Sequence, residues 1–184
     1  MLEEFKRTGR ELLKMGLISS HGGNLSVRRS DKLLITRRGC MLGDLQEGDI
    51  IETVLEHEEE TPLASTEVMV HRAIYQTTSA RAIIHCHPPF AIALSLGMDV
   101  IIPLDSEGAY HLHRVPVVMA SETVGSKEVA QSLPPILKEH SIAMVRGHGS
   151  FAVGRALEEA LMVSSSLETS SKIIVIAKAL GMKL

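Results

Sequence analysis

Apolar positions near the start of the chain recur at helical spacing. Leu2, Phe5, Leu12, Leu13 and Met15 predict an amphipathic helix over 2–15, with Gly16 as its stop. The period then shortens. Leu25 and Val27 alternate with polar neighbours as a short strand, 33–36 reads as a second, and 49–51 as a third that follows a polar loop. Pro62 opens a helix with Ser65 or Thr66 as N-cap and Val68, Met69, Ala73 and Ile74 as its buried stripe. Residues 82–87 form a strand apolar on both faces, which Pro88 and Pro89 end; a helix over 90–96 follows, closed by Gly97. A strand over 100–104, a polar turn over 105–108 and a strand over 115–119 come next. Ser126 caps a helix carrying Val129 and Leu133, which Pro134-Pro135 interrupts. The buried strand 141–145 runs into Arg146-Gly147-His148-Gly149-Ser150, and 151–153 pairs back as a hairpin. A long helix over 155–180 carries Ala160, Val163, Leu167, Ile174 and Ala177 on one stripe, with Gly181 past its end. Short strands interleaved with helices, with no repeat and no linker, predict a single α/β domain over 1–184 built on one central sheet.

Composition narrows the classes of function. With 184 residues the chain can bury a full core, and with no Trp and only 3 % aromatic residues that core must be aliphatic. A net charge of −3 argues against a sequence-independent grip on nucleic acid, which needs a basic face. No apolar run approaches the ~20 residues of a membrane span, and the first residues lack the apolar centre of a signal peptide. Cys40 and Cys86 do not make a disulfide framework; as small reduced core residues they fit a cytoplasmic protein.

The chemistry gathers around Ile83-Ile84-His85-Cys86-His87. Alternate residues of a strand share a face, so His85 and His87 stand side by side and Cys86 points away. Two imidazoles so placed suit one metal ion, although each also suits a hydrogen-bonded core position. A catalytic zinc site takes a third protein ligand and keeps a fourth position open. His148, between two glycines at the end of a buried strand, is the candidate for it. The pair His111 and His113 repeats the spacing, but no apolar strand leads into it. Proton transfer beside a metal needs a carboxylate or similar group, and Glu67 and Glu107 have suitable local settings. Glu67 falls in the first turn of its helix, where the dipole favours an acid, and His71, one turn on, reads as a packed or solvent-facing residue. The Gly22-Gly23-Asn24 loop lets backbone N–H groups approach an anion, and also reads as an ordinary turn. The acidic run 56–60 reads as a solvated hairpin tip.

Taken together, Gly22-Gly23-Asn24-Leu25-Ser26-Val27-Arg28, Leu34-Ile35-Thr36-Arg37-Arg38-Gly39, Ala64-Ser65-Thr66-Glu67, Ile83-Ile84-His85-Cys86-His87 and Gly147-His148-Gly149 resemble the class II aldolase/adducin family in order and spacing. The resemblance spans nearly the whole chain. It implies a three-layer α/β/α domain with a mainly antiparallel sheet, commonly assembled as a homotetramer. It implies Zn²⁺ on His85, His87 and His148, Glu67 as acid/base, and a substrate phosphate held by Gly23, Asn24, Arg38, Gly39, Ser65 and Thr66. The implied activity is cleavage of a small sugar phosphate, such as L-fuculose 1-phosphate, to dihydroxyacetone phosphate and an aldehyde through a metal-stabilised enediolate. Two departures stand out. Arg38 occupies a position where the fuculose-phosphate branch has Thr, and no Tyr follows Tyr110, whereas the aldolase and epimerase branches use a C-terminal Tyr. Glu107 sits about where the dehydratase branch keeps a catalytic Glu, so it is a possible second acid/base. A 4-epimerase, a dehydratase and a non-catalytic adducin-like binding module therefore stand as alternatives.

Overall fold

In the computed structural model, residues 1–56 and 61–183 are described. Helices α1 (Leu2–Lys14), α2 (Val68–Thr77), α3 (Pro89–Ser95), α4 (Ser106–His111), α5 (Lys127–Leu137) and α6 (Leu157–Ala179) alternate with strands. The strands are β1 (Asn24–Arg29), β2 (Lys32–Thr36), β3 (Ile50–Val54), β4 (Ala82–Cys86), β5 (Val100–Ile101), β6 (Val115–Val118), β7 (Ile142–Val145) and β8 (Gly149–Gly154). They form one 8-stranded sheet in the order β3-β2-β1-β4-β8-β7-β6-β5. Every pairing is antiparallel except β6 with β7, which α5 connects as a β-α-β crossover.

Side chains alternate across the sheet into two aliphatic cores. Leu25, Ile84, Cys86, Met144 and Ala152 face α1, α3, α4 and α6. Leu33, Ile35, Ile83, Ala143, Val145 and Phe151 face α2 and α5. The result is the expected α/β/α sandwich. The stripe read along the last helix is buried as expected: Ala160, Val163, Leu167, Ile174 and Ala177 all pack inward. By length and composition α6 also passes for a membrane span, with a mean hydropathy of 1.3 over its best window, which the sequence reading did not anticipate. Half of that window is buried inside the protein, and α6 lies across β4 and β8 as a core helix.

Four local readings change. α2 takes Glu67 as N-cap, not Ser65 or Thr66, and turns Val70, His71, Ile74 and Tyr75 inward while Met69 is exposed. The stripe slips because His71 and Tyr75 find a polar partner on the sheet, the hydroxyl of Ser26. The strand at 100 ends at Ile101, and the polar turn at 105–108 is instead the start of α4, with Asp105 accepting a hydrogen bond from the Gly108 N–H at 2.8 Å. His111 and His113 therefore sit on a helix end and in a left-handed residue (φ 54°), not on one face of a strand. α5 runs through Pro134 and Pro135, with Pro134 buried in the core. The acidic run, beyond Glu56, lies outside the described residues.

α1 docks through the close approach of Gly9 to the short 3-10 turn Leu42–Asp44. A Cβ at Gly9 would strike the Leu42 carbonyl oxygen and stand 2.7 Å from its carbon. Gly9→Ala is expected to lower stability by about 1–3 kcal/mol in urea unfolding without change in the denaturant slope.

Candidate metal and proton-transfer site

β4 and β8 build the site by pairing. The register sets Cys86 against Ser150 and His85 against Phe151, so the end of β4 meets the start of β8. His87 leaves β4 just beyond that end, and His148 precedes β8 by one residue. The turn between β7 and β8 is closed by the His148 N–H on the Val145 carbonyl at 3.0 Å, with Gly147 at φ 68°. The three rings converge: their centroids are 4.8 Å apart for His85–His87 and His85–His148, and 5.2 Å for His87–His148. Their ligand nitrogens all lie within 4.8 Å of one another. Cys86 points to the opposite face, where its thiol meets Ser150 Oγ at 3.3 Å.

The tautomer of His85 is fixed. Its Nδ1–H donates to the Ser150 carbonyl at 3.0 Å, which leaves Nε2 as a bare lone pair, 3.0 Å from His87 Nε2. Phe151 stacks against the ring at 4.2 Å. Burial, with His87 and His148 adding to it, holds His85 well below the usual imidazole range, and burial lowers His87 to about 4 and His148 as well. His148 Nδ1 is buried with no hydrogen-bond partner. Neutral imidazoles with converging nitrogens and an orphaned ring nitrogen fit a divalent metal ion.

Glu67 is the buried carboxyl of the site. It is 2 % exposed, and its Oε1 accepts the Gly125 N–H at 2.9 Å while Oε2 is buried with no partner. Burial pushes its pKa up to about 7, against the downward pull of the Gly125 N–H. A carboxyl so placed exchanges a proton near neutral pH.

One cleft of about 300 Å³ joins these groups. Its wall holds Gly23, Asn24, Arg38, Gly39, Ser65, Thr66, Glu67 and all three histidines. Gly23, at φ 79°, has no room for a side chain: a Cβ would stand 2.7 Å from the His85 carbonyl. The charge of Arg37 is engaged by Asp49 at 2.8 Å, whereas Arg38 stands exposed at the cleft. Glu107 does not join them. It lies exposed on α4 and accepts a hydrogen bond from Ser166 Oγ on α6 at 3.3 Å. Sequence reasoning missed His21, Cys40 and Val124 on the cleft wall, and Gly125 behind it. His21 adjoins the glycine loop and was within reach of that signal; Val124 and Gly125 come from the loop between β6 and α5, which carries no motif.

The model of the class II aldolase and adducin N-terminal domain matches residues 3–175. The chain belongs to this family. Its structure superposes on the L-fuculose-1-phosphate aldolase of Thermus thermophilus with a TM-score of 0.95 and 38 % identity, covering 98 % of this chain and 95 % of that one. The 3-oxo-tetronate 4-phosphate decarboxylase of Escherichia coli K12 is 29 % identical over 95 % of this chain and 85 % of its own length. A probable bifunctional methylthioribose-1-phosphate isomerase/methylthioribulose-1-phosphate dehydratase of Nocardia farcinica is 37 % identical over 48 % of this chain, which spans 17 % of that longer protein. Family membership thus leaves the reaction to be argued from the site.

Two outcomes follow from this geometry. A Cβ on Gly149 would strike the Cys86 carbonyl and stand 2.7 Å from His87 Cδ2 and 3.1 Å from His85 Cε1. Gly149→Ala is therefore expected to weaken Zn²⁺ binding by about 10–100-fold, read by competition with a chromophoric chelator. The second concerns pH in the metal-free protein. The folded state holds His71 (about 3), His87 (about 4), His85 and His148 neutral below the ordinary 6.5, so their contribution is present above 6.5 and is lost as pH falls toward those values. Glu67 acts oppositely: its contribution is full below the ordinary 4.5 and is lost as pH rises through about 7. Four groups outweigh one, so unfolding free energy should drop on acidification from pH 6.5 to 4, and Glu67→Gln should steepen the drop.

Proposed function

We propose that this chain is a zinc-dependent class II aldolase that cleaves a small sugar phosphate, such as L-fuculose 1-phosphate, to dihydroxyacetone phosphate and an aldehyde. The observation that carries the reading is the juxtaposition in one cleft of a buried carboxyl with a pKa of about 7, three converging neutral imidazoles and a glycine- and hydroxyl-lined wall.

His85, through Nε2, His87 and His148 would hold the ion. When bound, Zn²⁺ supplies Lewis-acid stabilisation of the negative charge that grows on the substrate's carbonyl-side oxygens. The other tasks fall to the chain. The backbone at Gly23, Asn24 and Gly39, the hydroxyls of Ser65 and Thr66, and the Arg38 guanidinium receive the phosphate dianion. That anchors one end of the ketose and sets its C3–C4 bond beside the imidazoles. When this bond breaks, the C4 hydroxyl loses its proton to solvent and its oxygen becomes the aldehyde oxygen, the electron pair of the C3–C4 bond stays with C3, and Glu67 gives its proton from Oε2 to that carbon. In the condensation direction Glu67 takes the proton back. The Gly125 N–H holds Oε1 in both states and spares Oε2 for the transfer. Assembly as a homotetramer belongs to the same reading, supported by the exposed apolar side chains of Leu96, Met119 and Val124.

A second reading, decarboxylation of a phosphorylated 3-oxo acid, draws support from the E. coli relative. Loss of CO₂ also leaves an electron pair on the carbon beside a carbonyl, so the same Glu67 would protonate it. The position of Glu107 on the α6 side of the sheet gives a dehydratase less support within one chain.

A panel of ketose phosphates and phosphorylated 3-oxo acids, with and without chelator, separates these readings. Chelator-sensitive release of dihydroxyacetone phosphate is expected; CO₂ release instead establishes the decarboxylase, and C4 inversion or water loss without cleavage rejects the aldolase. Glu67→Gln should keep its metal and lose on the order of 10²-fold or more in kcat.

A further inference from the structure

His71 is a buried polar side chain of α2 that the chemistry above does not use. It stands one turn after Glu67, and its ring is fully buried. Its Nδ1 lies 2.6 Å from Ser26 Oγ, and the same hydroxyl lies 2.8 Å from Tyr75 Oη, one turn further along α2. Two successive turns of the helix are thus tied to one hydroxyl on β1. That hydroxyl is itself fixed by the ladder that fixes the imidazoles: Ser26 pairs with Ile83, and Asn24 pairs with His85. The ring of His71 meets Phe151 edge-on at 5.9 Å, and Phe151 stacks on His85. Its remaining nitrogen, Nε2, is buried with no partner.

An aliphatic side chain would fill this space without burying an orphaned nitrogen, so the ring is a poor choice for stability alone. What the ring supplies is direction. Arg72, bonded to the Val54 carbonyl at 3.1 Å, and Gln76, bonded to the Leu55 carbonyl at 2.9 Å, keep α2 on the sheet from the β3 side. Arg28 Nη1, bonded to the Tyr75 carbonyl at 2.9 Å, holds the last turn of α2 to β1, and the His71–Ser26 bond ties the turn that follows Glu67 to the same strand. We propose that His71, through Ser26, is a positioning residue for Glu67: it sets the roll of α2 at which Glu67 Oε1 meets the Gly125 N–H and Oε2 is left free to carry the proton. The inference rests on the reading of Glu67 as proton carrier.

The test compares His71→Leu, which removes the bond, with His71→Asn, whose amide can stand where Nδ1 stood. Three quantities are read: hydrogen exchange of the Gly125 amide, which needs neither metal nor turnover; zinc content; and kcat against KM on the wild-type substrate. For His71→Leu the Gly125 amide should exchange at least about tenfold faster and kcat should fall about tenfold or more, with KM and zinc content within about twofold. His71→Asn should recover most of both losses. A folded His71→Leu that keeps Gly125 protected and kcat intact overturns the proposal. So does joint loss of zinc and kcat, which would make His71 a support of the imidazoles, and so does an Asn variant no better than Leu. Should His71→Leu fail to fold, Ser26→Ala is judged by the same exchange and kcat criteria. A fully active Glu67→Gln would sink the role of Glu67 in catalysis, while Gly125 exchange in His71→Leu still decides whether His71 positions it.

Discussion

The site depends on the antiparallel ladder between β4 and β8. Its register, Cys86 against Ser150 and His85 against Phe151, is the reason three imidazoles meet. A slip by one residue would flip every side chain of β4 to the other face. His85 would then enter the aliphatic layer under α6, and Cys86 would replace it at the cleft. The register is pinned from both sides: Ile84 and Cys86 belong to one core and Ile83 to the other, so each alternative exposes or misplaces a full set of apolar side chains. The same ladder orients His85 as well as placing it, because the Ser150 carbonyl that flanks the register pair accepts the His85 Nδ1–H. Fold specificity and the tautomer of His85 therefore come from one set of contacts.

Close packing then makes glycine a requirement at several points around the imidazoles. At Gly149 and Gly22 the space a Cβ would take is already held by the histidines together with the Cys86 carbonyl and Ser19 Oγ: His87 Nδ1 would lie 2.9 Å from a Cβ on Gly22, with Ser19 Oγ at 2.8 Å. At Gly23 the limit is the His85 backbone, together with a positive φ. Gly39 differs: nothing lies within 4 Å of its Cβ position, and its φ of 68° alone calls for glycine. The glycines around the cleft thus keep the rings from being pushed apart.

Much of this was legible in the sequence. The period-two rule places His85 and His87 on one face without any tertiary knowledge, because an apolar strand buried on both sides has no freedom to turn. His148 is legible through its glycines. What was not legible depends on contacts between distant segments. The stripe of α2 was misphased because helical spacing of apolar residues cannot anticipate that Ser26, far away on β1, makes an inward His71 and Tyr75 acceptable. Asp105–Gly108 reads as a turn because a capping aspartate and a turn aspartate have the same local sequence; the buried contact of Gly108 with α6 decides for the helix. Gly125 has no motif at all, and its role appears only when the β6–α5 loop is seen to reach Glu67. Glu107 was legible as an acid in a polar segment, but its side of the sheet was not.

Burial does opposite things to the two kinds of group in the cleft, and both outcomes suit the same chemistry. Removing water from an imidazole favours its neutral form, which is the form that binds a cation. Removing water from Glu67 favours its protonated form and carries its pKa to about 7. Burial thus keeps the histidines neutral and raises the carboxyl in one and the same cleft. The Gly125 N–H moderates the second effect, since a donor on Oε1 favours the carboxylate. A cation among the histidines would pull in the same direction as that N–H, since positive charge favours the carboxylate. Oε2 of that carboxyl is buried without a hydrogen-bond partner, which leaves burial as the larger influence on Glu67.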